Sequence, residues 1–90
     1  MVEIVIKKDN REEPFDIQKL KNSIIAASQA AGLEAVKQEE IANNVINKIL
    51  GELSQQEKVT SLELREKVLG ELSLLVPSAA QAWTNYEGQK

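Results

Sequence analysis

The sequence predicts an α+β fold in which a short N-terminal β-hairpin lies across one end of a four-helix bundle. Three observations predict it. Residues 2–7 alternate with the period of a strand and run into an Asp9-Asn10 turn signal. From Ile17 onward, apolar residues recur every three or four positions in four successive segments, the period of amphipathic helices. Ninety residues, 42% of them hydrophobic, suffice for one core and one domain spanning residues 1–90.

Val2, Ile4 and Ile6 fall on one face of the first strand, and Glu3, Val5 and Lys7 on the other. Asp9 and Asn10 both tolerate the left-handed backbone of a tight turn. Residues 12–15 return as a second strand, which Pro14, having no N–H, confines to an edge or a strand end. A hairpin of this size cannot bury its face alone, so it needs the bundle beneath it.

Asp16 is the N-cap of a first helix over 17–31 with an apolar stripe of Ile17, Leu20, Ile24, Ala27 and Ala31. Gly32 stands where a C-terminal stop belongs. A second helix over 36–53 buries Ile41, Val45, Ile49 and Leu53, widened by Ile46 and Leu50. Gly51 costs that helix about 1 kcal/mol relative to Ala, which points to close helix packing there. After a polar connection over 54–58, Val59 can form a brief third strand. Thr60 and Glu63 fit a capping box that opens a third helix, with Leu64, Val68, Leu72 and Leu75 inward and Leu69 beside them. Pro77 suits the first turn of a fourth helix carrying Ala79, Ala82, Trp83 and Tyr86. The last two helices are too short to stand alone in water, so packing must hold them.

Composition narrows the function. The chain has no cysteine and no histidine. That removes disulfides, thiolate and imidazole metal sites, and the Ser-His-Asp and Cys-His triads. There is no phosphate-binding Gly-x-x-x-x-Gly-Lys loop and no Gly-x-Gly-x-x-Gly. No nucleophile–base pair is evident, and the expectation is a protein that is not an enzyme. The formal net charge is -3, with eleven Lys and Arg scattered among fourteen acids. A general nucleic-acid binder shows a basic excess instead, so no nucleic-acid partner is expected for the chain by itself. No segment approaches a membrane span, and the N-terminus does not read as a signal peptide. A soluble, cytoplasmic protein with no membrane partner is expected.

Three groups of residues could carry binding chemistry. Lys7, Lys8, Arg11 and Lys19 gather near the hairpin and the first helix start, where point charges and free N–H groups can hold phosphate oxygens. Alternatively they form a solvated face paired to Glu12, Glu13 and Asp16. Glu13, Phe15 and Asp16 could meet a base and a sugar, or serve as surface, core and cap. Ser61 and Arg65, four apart on one helix face, could bond a sugar and a phosphate, or be a capping-box neighbour and a surface Arg. Trp83 and Tyr86 could pack in the core or offer a partner surface.

The order of these pieces resembles the ATP-cone, a family of small regulatory nucleotide-binding domains. That family opens with a strand ending in Val-x-Lys-Arg-Asp-Gly, then a Glu-x-Phe-Asp-like step and a Lys-Ile in the first helix. This chain has Val5-Ile6-Lys7-Lys8-Asp9-Asn10, then Glu13-Pro14-Phe15-Asp16, then Lys19-Leu20. The family's later Val-Ser-Ser-type step and Ile-Arg helix are matched by Val59-Thr60-Ser61 and Leu64-Arg65, and its small-residue and aromatic last helix by Ala82-Trp83 and Tyr86. Asn10 stands for the usual Gly and Lys8 for the usual Arg, which keeps the charge and loses the bidentate fork.

The resemblance implies a four-helix bundle capped by a small three-stranded β-sheet, with ATP or dATP bound between them, with or without Mg2+. It implies that Val5 and Leu20 flank the base, and that Glu13, Phe15 and Asp16 line base and ribose. Lys7, Lys8 and Arg65 would meet phosphates, and Lys19 and Ser61 would reach ribose or phosphate oxygens. Such domains belong to ribonucleotide reductases and to the repressor of reductase genes, where ATP and dATP select oligomeric states. The expectation is a non-catalytic allosteric module whose partners are an adenine nucleotide and either further copies of itself or a separate protein. The alternative is a degenerate cone that docks or self-associates without nucleotide.

Overall fold

The hairpin closes through a turn in which Asn10 takes a positive φ of 68°, a conformation that Asn accepts at low cost. Asn10 N–H donates to Lys7 O at 2.9 Å and Lys7 N–H to Arg11 O at 2.8 Å. Asp9 Oδ1 accepts from Arg11 N–H at 3.1 Å. That backbone bond, helped by the Arg11 guanidinium, holds the Asp9 carboxyl below its ordinary range.

The structure, a computed structural model, describes the backbone of residues 2–88 and the side chains of residues 2–85. In chain order the elements are β1 (Ile4–Ile6), β2 (Glu12–Pro14), α1 (Ile17–Ala30), α2 (Ala35–Glu52), β3 (Lys58–Thr60), α3 (Ser61–Leu75) and α4 (Pro77–Gly88). The sheet order is β2-β1-β3, with β2 antiparallel and β3 parallel to β1. Val5 lies opposite Glu13 on one side and Val59 on the other. Four helices and a small three-stranded sheet agree with the expected α+β architecture. Pro14 ends the edge strand β2, where a missing N–H breaks no ladder.

Val5 and Val59 are buried toward the bundle, while Ile4 and Ile6 on the opposite face are half-buried. Val2 is buried as well, although alternation assigns it to the face of Ile4 and Ile6. It precedes β1, so the strand period does not govern it.

α1 begins where Asp16 Oδ1 accepts from Gln18 N–H at 3.0 Å and Lys19 N–H at 3.2 Å. It ends in a Schellman motif: Gly32, at φ 87°, donates to Gln29 O, and Leu33 N–H donates to Ser28 O. α1 packs on α2 and α4, and α3 packs on the same two helices. The core between them holds Ile24, Val45, Ile49, Leu53, Val68, Leu72 and Trp83, each nearly or wholly buried.

Three further expectations fail. Leu75 is 46% exposed rather than inward, because α3 ends on it and Val76 turns the chain into an extended conformation. Gly51 marks no close packing: a Cβ there would meet nothing within 4 Å. Thr60 Oγ1 does cap Glu63 N–H at 3.1 Å, but the Glu63 carboxylate accepts from Gln56 Nε2 at 3.1 Å, so the reciprocal half of the box is diverted. No helix among the described residues is long and apolar enough to cross a membrane.

Candidate functional site

A cleft opens where the sheet meets the bundle, walled by β1, β2, α1 and α3 and floored by Trp83 of α4. Local periodicities aim its residues. Val5 and Lys7, two apart, leave β1 on one side, and antiparallel pairing sets Glu13 opposite Val5 on that same side. Asp16, Lys19, Leu20 and Ser23 stand at i, i+3, i+4 and i+7, one face of the start of α1. β3 runs without a break into α3. Because β3 is parallel to β1, with Thr60 opposite Ile6, Ser61 arrives beside Lys7. Arg65 follows one turn later on the same helix face.

Nine of the ten residues singled out from the sequence therefore line one cleft: Val5, Lys7, Glu13, Phe15, Asp16, Lys19, Leu20, Ser61 and Arg65. Lys8 does not. It lines a neighbouring hollow with Ile6, Asn10, Thr60 and Leu62, and Lys7 and Ser61 border both spaces. Lys8 lies past the end of β1, in the turn that Asn10 N–H closes onto Lys7 O, and this turn carries it away from the cleft that Lys7 lines.

The charges are arranged unevenly. Arg11, Lys21, Lys37, Lys58 and Lys67 each make an ion pair. Among the described residues, Lys7, Lys8, Lys19 and Arg65 make none, a condition shared with Lys48 of α2, which lines neither space. Of the surface pairing considered for the basic group, only that of Arg11 with Glu13 forms among the described residues, and Lys7, Lys8 and Lys19 take no part in it. Glu12 holds Lys58 at 2.9 Å, Arg11 holds Glu13 at 3.4 Å, and Asp16 caps α1. Cations left unpaired beside half-buried apolar walls are available to an anion.

Pro14, Ser23, Leu64 and Trp83 also line the cleft and are not among the binding residues expected from the sequence. Ser23 was legible in principle, being on the helix face of Asp16, Lys19 and Leu20. Trp83 was not, since nothing local ties it to residues some sixty positions away. It donates its Nε1–H to Ser23 Oγ at 3.0 Å, and Ser23 donates to Leu20 O at 2.7 Å. At 2% exposure Trp83 is core rather than a partner surface. The Tyr86 side chain lies outside the described residues. Among them, no group of three or more His, Cys, Asp or Glu could hold a metal ion.

Compared with known proteins, the chain matches the family model of the ATP cone domain over residues 3–86. It is 38% identical over 69 residues to a transcriptional repressor NrdR of Caldicellulosiruptor bescii, covering 77% of this chain and 44% of the relative. With the NrdR of Caldicellulosiruptor saccharolyticus it shares 36% over 72 residues, 80% of this chain and 46% of the relative. With that of Trichodesmium erythraeum it shares 35% over 69 residues, 77% and 38%. The chain thus spans less than half the length of these curated relatives.

These relatives correct one expectation. A transcriptional repressor acts on DNA, which conflicts with the absence of a nucleic-acid partner inferred from charge. The charge argument weighed only these ninety residues. An acidic domain can serve a DNA-acting protein without itself carrying the basic surface.

Proposed function

This chain belongs to the ATP cone domain family, and from that premise we propose that it binds ATP or dATP in the cleft and passes occupancy on through self-association or a separate partner. It is a regulatory nucleotide-sensing domain and not an enzyme, as the family and the repressor relatives together indicate. One observation carries the proposal: a single cleft gathers aliphatic walls, acceptor carboxylates and unpaired cations. Val5 and Leu20 suit the two faces of a base, with Phe15 beside them. Glu13 and Asp16 suit amino and hydroxyl donors. Lys7, Lys19 and Arg65 suit phosphates, which the start of α3 favours further with its free N–H groups and the Ser61 hydroxyl. Lys8 extends this basic track through the hollow that shares Lys7 and Ser61. Magnesium enters, in this reading, on the triphosphate. The names of the relatives support coupling of such a switch to repression at DNA.

Calorimetry with ATP and with dATP, each with and without magnesium, tests the proposal. Binding on the order of micromolar is expected, weakened about tenfold or more in Lys7→Ala, since a charge-assisted phosphate contact is lost. Light scattering during the titration reads the oligomeric state. Absence of heat with every adenine nucleotide would overturn nucleotide sensing.

A second reading, self-association or docking without nucleotide, draws on Leu74 and Leu75, which are 81% and 46% exposed at the end of α3. An oligomer whose mass ignores both nucleotides, in a protein silent by calorimetry, would favour it.

A further inference from the structure

We propose that Ser23 is a specificity-determining residue of the cleft: an acceptor-only group on its floor that favours a base bearing an amino group over one bearing a keto oxygen at the same position. This rests on the reading of the cleft as an adenine-nucleotide site.

A serine hydroxyl has one proton and two lone pairs. The proton of Ser23 is committed to Leu20 O at 2.7 Å, within its own helix. One lone pair is committed to Trp83 Nε1–H at 3.0 Å. The indole has no other polar hydrogen, and its ring is held in the core at 2% exposure. Both polar hydrogens at this depth are therefore already spent. One acceptor lone pair is all that Ser23 retains for a ligand.

The neighbours make this matter. Val5, Leu20 and Leu64 line the cleft around Ser23 with carbon. Ser23 itself is 5% exposed, so little water can bridge a mismatch there. A base amino group seated against Ser23 donates to the free lone pair. A keto oxygen in its position sets acceptor against acceptor and loses its own water. Glu13 and Asp16 are acceptors too, but Asp16 is exposed and Glu13 is partly so, and water relieves a mismatch at either. Discrimination is thus strongest at the dry serine. Reorienting the hydroxyl to donate would forfeit the Leu20 bond, which is what keeps the group acceptor-only.

The test compares ATP with inosine triphosphate, in which the 6-amino group is replaced by a keto oxygen, by calorimetry on the full chain. The wild-type chain should prefer ATP, and Ser23→Ala should reduce the ratio of the two affinities by about fivefold, the equivalent of one hydrogen bond. Ser23→Ala also strands the Trp83 N–H, so the double variant Ser23→Ala/Trp83→Phe removes both partners and carries the same expectation. A wild-type ratio in either variant overturns the role of Ser23 while leaving nucleotide sensing intact. Failure of the wild-type chain to bind either nucleotide overturns both.

Discussion

Two buried serines on α1, Ser23 and Ser28, differ in what surrounds their hydroxyls. Ser23 both donates and accepts. Ser28 is fully buried, and its Oγ has no hydrogen-bond partner among the described residues. Burying an unsatisfied hydroxyl costs about 1–3 kcal/mol. Ser28→Ala should therefore raise stability, by about 1 kcal/mol once the lost packing of one oxygen is allowed for. Urea unfolding with an unchanged m-value checks this. A lower midpoint would mean that the hydroxyl is satisfied after all. Helical periodicity counts both serines as polar interruptions of the stripe of Leu20, Ile24 and Ala27. Their burial follows from the breadth of contact: α1 packs on both α2 and α4, which widens its buried face to Ser23, Ile24, Ala27 and Ser28.

Among the elements, the helices differ in how far their local chemistry serves them. α1 has a side-chain cap and a glycine stop. α2, the longest, starts at Glu34 with no side-chain cap bond and carries Gly51 near its end. Gly51 has open space where a Cβ would stand and is not recorded at positive φ. Gly51→Ala should stabilise the protein by about 1 kcal/mol, through the entropy that glycine loses in a helix. Thermal melts read this directly, and an unchanged or lower melting temperature would show that the glycine is needed for something other than helix packing. A glycine in a helical segment reads the same in sequence whether a neighbour or solvent faces it. For that reason Gly51 was misread, whereas Gly32, whose positive φ follows from its position at a helix end, was not.

At the scale of the whole molecule, the cleft exists only because five elements converge on it. A ligand held by all of them binds the folded chain and not the unfolded one. ATP at a hundred times its Kd should then raise stability by about 2.7 kcal/mol. Thermal melts should show the shift for the wild-type chain and a much smaller one for Lys7→Ala at equal concentration. Trp83, the only tryptophan, gives an independent fluorescence reading from the cleft floor. An equal shift in both proteins would move the phosphate site away from Lys7. The turn at Asn10, the caps at Asp16 and Thr60 and the apolar stripes were legible beforehand, because each rests on interactions spanning only a few residues. The gathering of Val5, Lys7, Glu13, Asp16 and Leu20 was nearly as legible, through strand alternation and one helix turn. The parallel docking of β3 that delivers Ser61 to Lys7, the diversion of Glu63 to Gln56, the exposure of Leu75 and the seating of Trp83 under Ser23 were not. They depend on how whole elements pack, and a contact between positions 23 and 83 leaves no periodic trace in the chain between them.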